Sequence, residues 1–237
     1  MSPVSQPCAM LVVAAGRGSR FGGKIPKQYR PLGDMPLLLH TLRRLHSHPL
    51  ITTITPIISA DDGHWLPLMK PHLAALPKVT TPVYGGSERQ MSVDNGLRAL
   101  NLPENAWVGI HDGARPLVSL ALLDRLFAGR AECDGVIAAL PAADTLKKVD
   151  ENGMIVATVD RTPIWQAQTP QIFQYGAILE AHRKARENNH LGTDDASLME
   201  RVGARVRVTV GDPLNQKITR PEDLAMAERL LKEENAS

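Results

Sequence analysis

Apolar, β-rich runs alternate with helical segments along most of this 237-residue chain, and the alternation limits the folds that are open to it. Residues 10–15, MLVVAA, are continuously apolar, as expected for a strand that is buried on both faces of a sheet. Strand-like runs follow at 51–58, 107–112 and 135–141, and helical patterns separate them. The pattern predicts an α/β fold with a Rossmann-like, doubly wound and mostly parallel sheet.

The alternation breaks after Pro141. The segment TLKKVDENGMIVATVDR predicts two strands around a turn at DENG, which together form a β-hairpin. We therefore expect a protruding arm at roughly residues 142–165, inserted in a single domain that spans residues 1–237. An arm of this kind is well placed to pack against a second subunit.

Capping signals predict where several helices begin. Ser87 followed by Gln90, and Thr219 followed by Glu222, both match the capping box, in which two side chains satisfy backbone N–H groups reciprocally. Residues 193–195, Thr-Asp-Asp, resemble an N-cap followed by acids that favour a helix N-terminus. These polar residues are therefore interpreted first as structural.

Composition and charge exclude several kinds of partner. The net charge of +2 is too small to predict binding to nucleic acid or to a membrane surface, so phosphate binding would have to rely on local basic clusters. Cys8 and Cys133 lack the spacing of a metal site and predict free thiols in a reducing compartment. The first residues lack a basic region followed by a long apolar segment. We expect a soluble, cytoplasmic protein.

The segment AAGRGSRFGGKIPKQY, residues 14–29, resembles a phosphate-binding loop but lacks its decisive residues. A Walker A loop needs Ser or Thr after its lysine, whereas Ile25 follows Lys24 here and Pro26 disfavours a helical conformation at Ile25. A dinucleotide fingerprint fails as well, because Phe21 stands where a third glycine is needed.

Two interpretations of this glycine-rich loop remain open. Its backbone amides and basic side chains, among them Arg20 and Lys27, could wrap a polyphosphate without a helix directly behind Lys24. Alternatively, it is a solvated basic loop whose glycines only turn the chain. Polar clusters at the ends of later predicted strands, namely YGGSERQMS, HDGARP, DT, TPQ and QKIT, favour the first interpretation. Ligands of open α/β sheets bind at the carboxyl ends of the strands.

Taken in order, these motifs resemble those of the 2-C-methyl-D-erythritol 4-phosphate cytidylyltransferases of the non-mevalonate isoprenoid pathway. The resemblance covers almost the whole chain and rests on AAGRGSRF, PKQY, GGSERQMSV, HDGARP, DT, VDR, QTPQ, TDDAS and KITRPEDL. It implies a Rossmann-like domain with a protruding arm, a homodimer, and Mg²⁺-dependent transfer of CMP from CTP to a sugar-alcohol phosphate with release of pyrophosphate.

The resemblance also implies roles for individual residues. The catalytic set comprises Arg20, Lys27, Arg161 and Lys217, with Arg161 contributed by the arm across the dimer. The residues that would hold the nucleotide are Ala14, Ala15, Gly16, Gly18, Gly86 and Ser92. Those that would bind the acceptor are Asp112, Arg115, Thr145 and Thr169. Asp112 is also the sole metal candidate. Ser87 replaces an Asp that some members carry, so only a capping role is expected for it.

Several alternatives stay open at this point. A ribitol 5-phosphate cytidylyltransferase, or another NTP-dependent sugar-phosphate nucleotidyltransferase, would share the fold and the mechanism. A regulator that binds nucleotides without catalysis would bind CTP but release no pyrophosphate. Taken alone, Arg115 could simply pin a turn through backbone carbonyls, and Lys217 could merely precede a well-capped helix.

Overall fold

The computed structural model describes residues 6–16, 21 and 25–236. Its strands are β1 (Cys8–Val13), β2 (Pro31–Leu32), β3 (Met35–Pro36), β4 (Ile51–Ile58), β5 (Val83–Tyr84), β6 (Trp107–Asp112), β7 (Gly135–Pro141), β8 (Leu146–Val149), β9 (Ile155–Val159), β10 (Trp165–Gln174) and β11 (Val206–Val210). Its α-helices are α1 (Leu37–Ser47), α2 (Arg89–Ala99), α3 (Leu120–Ala128), α4 (Tyr175–Glu187), α5 (Asp195–Arg201) and α6 (Pro221–Ala236). Shorter helical turns lie at Lys27–Tyr29, Trp65–Met69 and Lys70–Ala75.

Seven strands form the central sheet in the order β11-β7-β10-β6-β1-β4-β5. The pairs β1–β4, β1–β6, β4–β5 and β7–β11 are parallel. Strand β10 runs antiparallel to both of its neighbours, β6 and β7. The mostly parallel sheet predicted from the alternating runs is therefore confirmed, with one antiparallel strand that the pattern did not reveal.

Helices cover both faces of this sheet, as a doubly wound fold requires. The apolar stripe of α1, which includes Leu38 and Leu42, packs with α3 in one hydrophobic core. On the opposite face, α2, α4 and α5 form a second core, to which Val93 and Ile178 contribute. None of the helices in the described part of the chain is long and apolar enough to cross a membrane.

The predicted hairpin forms from β8 and β9, which pair antiparallel in a two-stranded sheet of their own. Asp150 Oδ1 accepts hydrogen bonds from the backbone N–H groups of Asn152 and Met154, and Gly153 adopts φ +79°, which closes the turn. Met154, Ile155 and Val156 are each more than 60% exposed. The arm therefore carries an unusual amount of apolar surface that its own chain does not cover.

The capping boxes predicted at Ser87 and Thr219 are wrong in detail. Helix α2 has Glu88 at its N-cap with no side-chain cap, and the Ser87 hydroxyl donates to Met91 Sδ instead. At the start of α6, Asp223 rather than Glu222 accepts from the Thr219 N–H. In α2 the reason is tertiary, because the Gln90 side chain donates to His190 O and accepts from Gly192 N, about 100 residues away. In α6 the acceptor is only displaced by one residue, from Glu222 to Asp223.

The polar segment TPQ was predicted to follow a strand, but it lies inside one. Residues 169–171 lie within β10, where the pairing with β7 shifts between Ala167 and Gln171. The Thr169–Pro170 peptide bond in this irregular stretch is cis. TPQ therefore lies beside β6, next to the site described below.

Candidate active site

A cleft of about 790 Å³ opens at the carboxyl ends of the central parallel strands. It gathers most of the polar clusters that the sequence placed after strands. The cleft is lined by Val13, Ala14, Ala15, Gly16, Lys27, Gln28, Ser59, Ala60, Asp61, Gly85, Gly86, Ser87, Glu88, Arg89, Ser92, Asp112, Ala114 and Lys217. Nucleotide-side and acceptor-side candidates thus share one cavity.

One wall of the cleft is the Gly85–Gly86 turn, which lies against the end of β1. A Cβ atom on Gly85 would lie 2.6 Å from Ala15 Cβ and 2.7 Å from Ser92 Oγ, so only glycine allows this close approach. The Ser92 hydroxyl accepts from the Gly86 N–H at 3.1 Å and donates to Glu88 O at 3.0 Å. Ser92 therefore shapes the turn, in addition to lining the cleft.

The turn Lys27–Tyr29 places Lys27 at the cleft, and its two following residues hold the turn in position. Gln28 Nε2 donates to Ala14 O at 2.7 Å, and the Tyr29 hydroxyl donates to the buried Asp62 carboxylate. Lys27 Nζ donates to Ile218 O at 2.8 Å. The predicted residues Gly18 and Arg20 lie outside the described part of the chain.

Asp112, at the end of β6, is the centre of a buried charge cluster and is 6% exposed. Its Oδ2 lies 2.9 Å from Lys217 Nζ and 3.5 Å from Arg115 Nε, and its Oδ1 lies 3.3 Å from Arg89 Nε. Burial raises the pKa of the carboxyl, but the three surrounding cations outweigh burial and hold that pKa well below its usual range. Asp112 is therefore ionised, and it fixes three cations, of which Arg89 and Lys217 line the cleft.

Arg115 and Thr169, which were predicted to bind the acceptor, both contact Asp112 and hold it in position. Arg115 Nη1 donates to Asn215 O at 2.7 Å, so Arg115 pins a turn while it faces Asp112. Thr169 is buried, and its hydroxyl accepts from the Asp112 backbone N–H at 3.0 Å. Burial lowers the pKa of the Arg115 guanidinium, an effect that Asp112 opposes.

Thr145 and Arg161, by contrast, lie at the base of the arm and are exposed. Arg161 donates to the backbone oxygen of Ala143, within the same segment. Neither residue lines the cleft of its own chain. The fold thus separates these two candidates from the rest of the predicted site.

Sequence reasoning missed Arg89 and Asp195. Arg89 lines the cleft, and its Nη1 lies 2.8 Å from Oδ2 of Asp195, which is 1% exposed. Burial lowers the pKa of Arg89, but Asp195 and Asp112 outweigh it and leave the pKa above its usual value. The TDDAS segment shows two adjacent acids, but nothing in its pattern indicates a partner 106 residues away.

Asp112 does not fit the metal role suggested for it. Both of its oxygens already face cations, which repel a divalent ion. Within residues 6–16, 21 and 25–236, no group of three or more His, Cys, Asp or Glu side chains is arranged to hold a metal. This part of the chain therefore offers no carboxylate cage for Mg²⁺.

Comparisons with known proteins show the family of this chain. The chain matches the family model IspD, 2-C-methyl-D-erythritol 4-phosphate cytidylyltransferase, over residues 8–233. It is 49% identical over 226 residues to the bifunctional enzyme IspD/IspF of Rhodospirillum rubrum, covering 95% of this chain and 57% of that protein. A crystal structure of 4-diphosphocytidyl-2C-methyl-D-erythritol synthase from Anaerococcus prevotii matches with a TM-score of 0.82 at 30% identity, covering 96% and 97% of the two chains.

A further relative matches the chain almost end to end. This is the 2-C-methyl-D-erythritol 4-phosphate cytidylyltransferase of Geobacter metallireducens, which is 46% identical over 228 residues. The alignment covers 94% of this chain and 97% of that protein. With this identity over nearly its full length, the chain belongs to the 2-C-methyl-D-erythritol 4-phosphate cytidylyltransferase family.

Proposed function

We propose that this protein transfers CMP from CTP to 2-C-methyl-D-erythritol 4-phosphate, giving 4-diphosphocytidyl-2-C-methyl-D-erythritol and pyrophosphate. The observation that carries the proposal is the cation cluster around Asp112, set in the cleft of a chain that belongs to this family. The three cations and the two buried carboxylates that they face, Asp112 and Asp195, leave one net positive charge in this cluster, which attracts polyanions.

The reaction needs positioning and charge stabilisation more than proton transfer. An oxygen of the acceptor phosphate, already an anion at neutral pH, attacks the α-phosphorus of CTP. The bond from that phosphorus to the bridging oxygen breaks, and the electron pair leaves with pyrophosphate. No general base is required, and the task of the protein is to bring two polyanions together in line.

The described residues divide this task between two sides of the cleft. Ala14, Ala15, Gly16, Gly86 and Ser92 line the side proposed for the nucleotide. Lys27 and Lys217 both line the same cleft, Lys27 on the turn after the glycine-rich loop and Lys217 beside Asp112. In this proposal Lys27 stabilises charge on the triphosphate, and Lys217 with Arg115 receives the acceptor phosphate. Mg²⁺ would neutralise phosphate charge, held mainly by phosphate oxygens and water.

The proposal extends to a homodimer formed through the arm. Met154, Ile155 and Val156 are consecutive apolar residues that are each more than 60% exposed, and exposed apolar surface of this extent marks an interaction site in soluble proteins. A second copy of the chain would cover it and would carry Arg161 and Thr145 toward a neighbouring cleft. Light scattering should report a dimer, and Ile155→Asp should convert it to a monomer with little activity. A monomeric wild type that is fully active would overturn this assembly.

We further propose a cytoplasmic location, because both cysteines, Cys8 and Cys133, are buried free thiols. Fractionation of the native host, with the protein detected by antibody, tests the location directly. Recovery outside the cytoplasmic fraction would contradict it.

The decisive experiment measures pyrophosphate release from purified protein with CTP, Mg²⁺ and 2-C-methyl-D-erythritol 4-phosphate. Ribitol 5-phosphate replaces the acceptor in a parallel assay, and ATP, GTP and UTP each replace CTP. The proposal expects a large preference for CTP and the methylerythritol acceptor. Equal or greater turnover with ribitol 5-phosphate would refute the acceptor, and CTP binding without turnover would refute catalysis.

A further inference from the structure

Arg89 connects two buried carboxylates that belong to different parts of the fold. Its Nε lies 3.3 Å from Asp112 Oδ1 at the cleft, and its Nη1 lies 2.8 Å from Asp195 Oδ2 at the start of α5. Its remaining nitrogen, Nη2, forms no hydrogen bond within the described part of the chain, and the side chain lines the cleft. The planar guanidinium is thus held on two sides, with a third donor left for a ligand.

Asp195 is not needed to begin its own helix. Asp194 fills the N-cap of α5, where its Oδ1 accepts from Ser197 N at 2.9 Å in a capping box. Asp195, one residue later, is 1% exposed, and its Oδ1 lies 3.4 Å from Nε2 of the buried His182. A buried carboxylate is costly unless it is paired, and here its cationic partner is Arg89.

We infer that Asp195 is a positioning residue, which acts through Arg89 to orient Asp112 and to hold a cationic donor in the cleft. The kinetic test of this inference rests on the proposed function, because it measures cytidylyltransferase activity. Two carboxylates facing Arg89, Arg115 and Lys217 leave one net positive charge, so the cluster stays attractive to phosphate while its cations stay fixed. Without Asp195, Arg89 has only Asp112 to pair with and draws that carboxylate away from Lys217.

The kinetic consequence concerns the acceptor more than the nucleotide. Asp195→Asn keeps the shape of the side chain but removes its charge. By analogy with groups that orient metal ligands, we expect kcat/KM for the acceptor to fall about 10- to 100-fold. The KM for CTP should change by less than about threefold, because Ser92 keeps its hydrogen bonds to the Gly86 N–H and to Glu88 O at the Gly85–Gly86 turn.

A double-mutant cycle separates positioning from a merely structural role. If Asp195 acts through Arg89, its substitution should have little effect once Arg89 is absent. The acceptor kcat/KM of the Arg89→Met, Asp195→Asn double variant should therefore lie within about twofold of that of Arg89→Met alone. Asp194→Asn is the matched control, because it makes the same chemical change one residue earlier and contacts neither Arg89 nor the cleft. It should keep acceptor kcat/KM within about twofold of wild type. If Asp195→Asn does not fold, Arg89→Lys replaces it, since lysine cannot reach both carboxylates as a fork.

Crystal structures of wild type and the Asp195→Asn variant test the inference independently of activity. We expect the Arg89 guanidinium of the variant to leave its bridging position and Asp112 to turn with it. An unmoved Arg89, an unchanged acceptor kcat/KM, or losses that multiply in the double variant would each overturn the inference. A wild-type protein without cytidylyltransferase activity would refute the proposed function instead, and the position of Arg89 would still decide the inference.

Discussion

His111 provides a pH-dependent test of how the floor of the cleft is built. The side chain is fully buried at the end of β6, next to Asp112. Its Nε2 lies 3.3 Å from the carbonyl oxygen of Arg115, which can only accept, so Nε2 carries the proton. Its Nδ1 lies 3.1 Å from the Thr169 hydroxyl and accepts from it. Both ring nitrogens are therefore satisfied in the neutral form.

The neutral form dominates because burial penalises the charged ring. Burial lowers the pKa of His111 from 6.5 to about 4, although the nearby Asp112 carboxylate acts in the opposite direction. The unfolded chain binds the proton near pH 6.5, whereas the folded protein binds it only near pH 4. Between these values the unfolded state holds more protons, so His111 makes the protein less stable as the pH falls.

The size of the effect follows from the two pKa values. At about 1.4 kcal/mol per pH unit, the contribution reaches about 3 kcal/mol below pH 4 and amounts to about 2 kcal/mol between pH 7 and pH 5. Urea denaturation at pH 7, 6 and 5 measures the free energy of unfolding of wild type and of His111→Gln. Glutamine can still donate to the Arg115 carbonyl but cannot take up a proton.

We expect wild type to lose about 2 kcal/mol more than His111→Gln between pH 7 and pH 5. A lower stability of the variant at pH 7 does not affect this comparison, because only the difference in pH dependence is compared. Every other residue is the same in the two proteins, so the remaining pH dependence cancels in the comparison. Parallel stability curves for the two proteins would refute the reasoning.

Three further predictions concern kinetics and local stability. Lys27→Ala should lower kcat by about 10²–10³ while CTP affinity, measured by calorimetry, changes far less; an unchanged kcat would show that Lys27 has no catalytic role. Arg161→Ala should raise the acceptor KM and leave the CTP KM nearly constant, whereas a collapse of CTP binding would contradict the arm assignment. Tyr29→Phe removes a donor from the buried Asp62 carboxylate and should lower the free energy of unfolding by about 1–3 kcal/mol. An unchanged urea midpoint would contradict that last prediction.

Much of the fold could be predicted because buried parallel strands carry their signal in consecutive apolar residues. The predicted strand runs at 51–58, 107–112 and 135–141 coincide with β4, β6 and β7. Strand β10 could not be predicted this way, since its centre reads QAQTPQ. Tertiary contacts hold that polar stretch in the sheet: Gln171, for example, donates to Asp194 and accepts from Ala196 N. Such contacts override the local preference of the sequence, and they do not produce a periodic pattern of apolar residues from which a strand could be predicted.

For the site, too, features that depend on neighbouring residues could be predicted, and contacts between distant residues could not. Glycines and cations after strands predicted where the cleft lies, because strand ends in a parallel sheet converge on one edge. Pairing across the fold could not be predicted, and Asp195 was therefore interpreted only as a helix N-terminal acid. Asp112 was proposed as a metal candidate for a similar reason, because the sequence does not show that its two oxygens already face three cations.

The cost of the buried charges itself supports a role in function. Replacing a buried ion network by packed apolar residues is often neutral or stabilising, so stability alone does not explain why residues 112 and 195 are carboxylates. The two carboxylates hold the cationic side chains in fixed positions before any phosphate binds. Cations fixed in advance avoid the entropy cost of ordering flexible side chains at the moment of binding. The carboxylates therefore favour binding of phosphate by holding the groups that contact it, although their own charge opposes it.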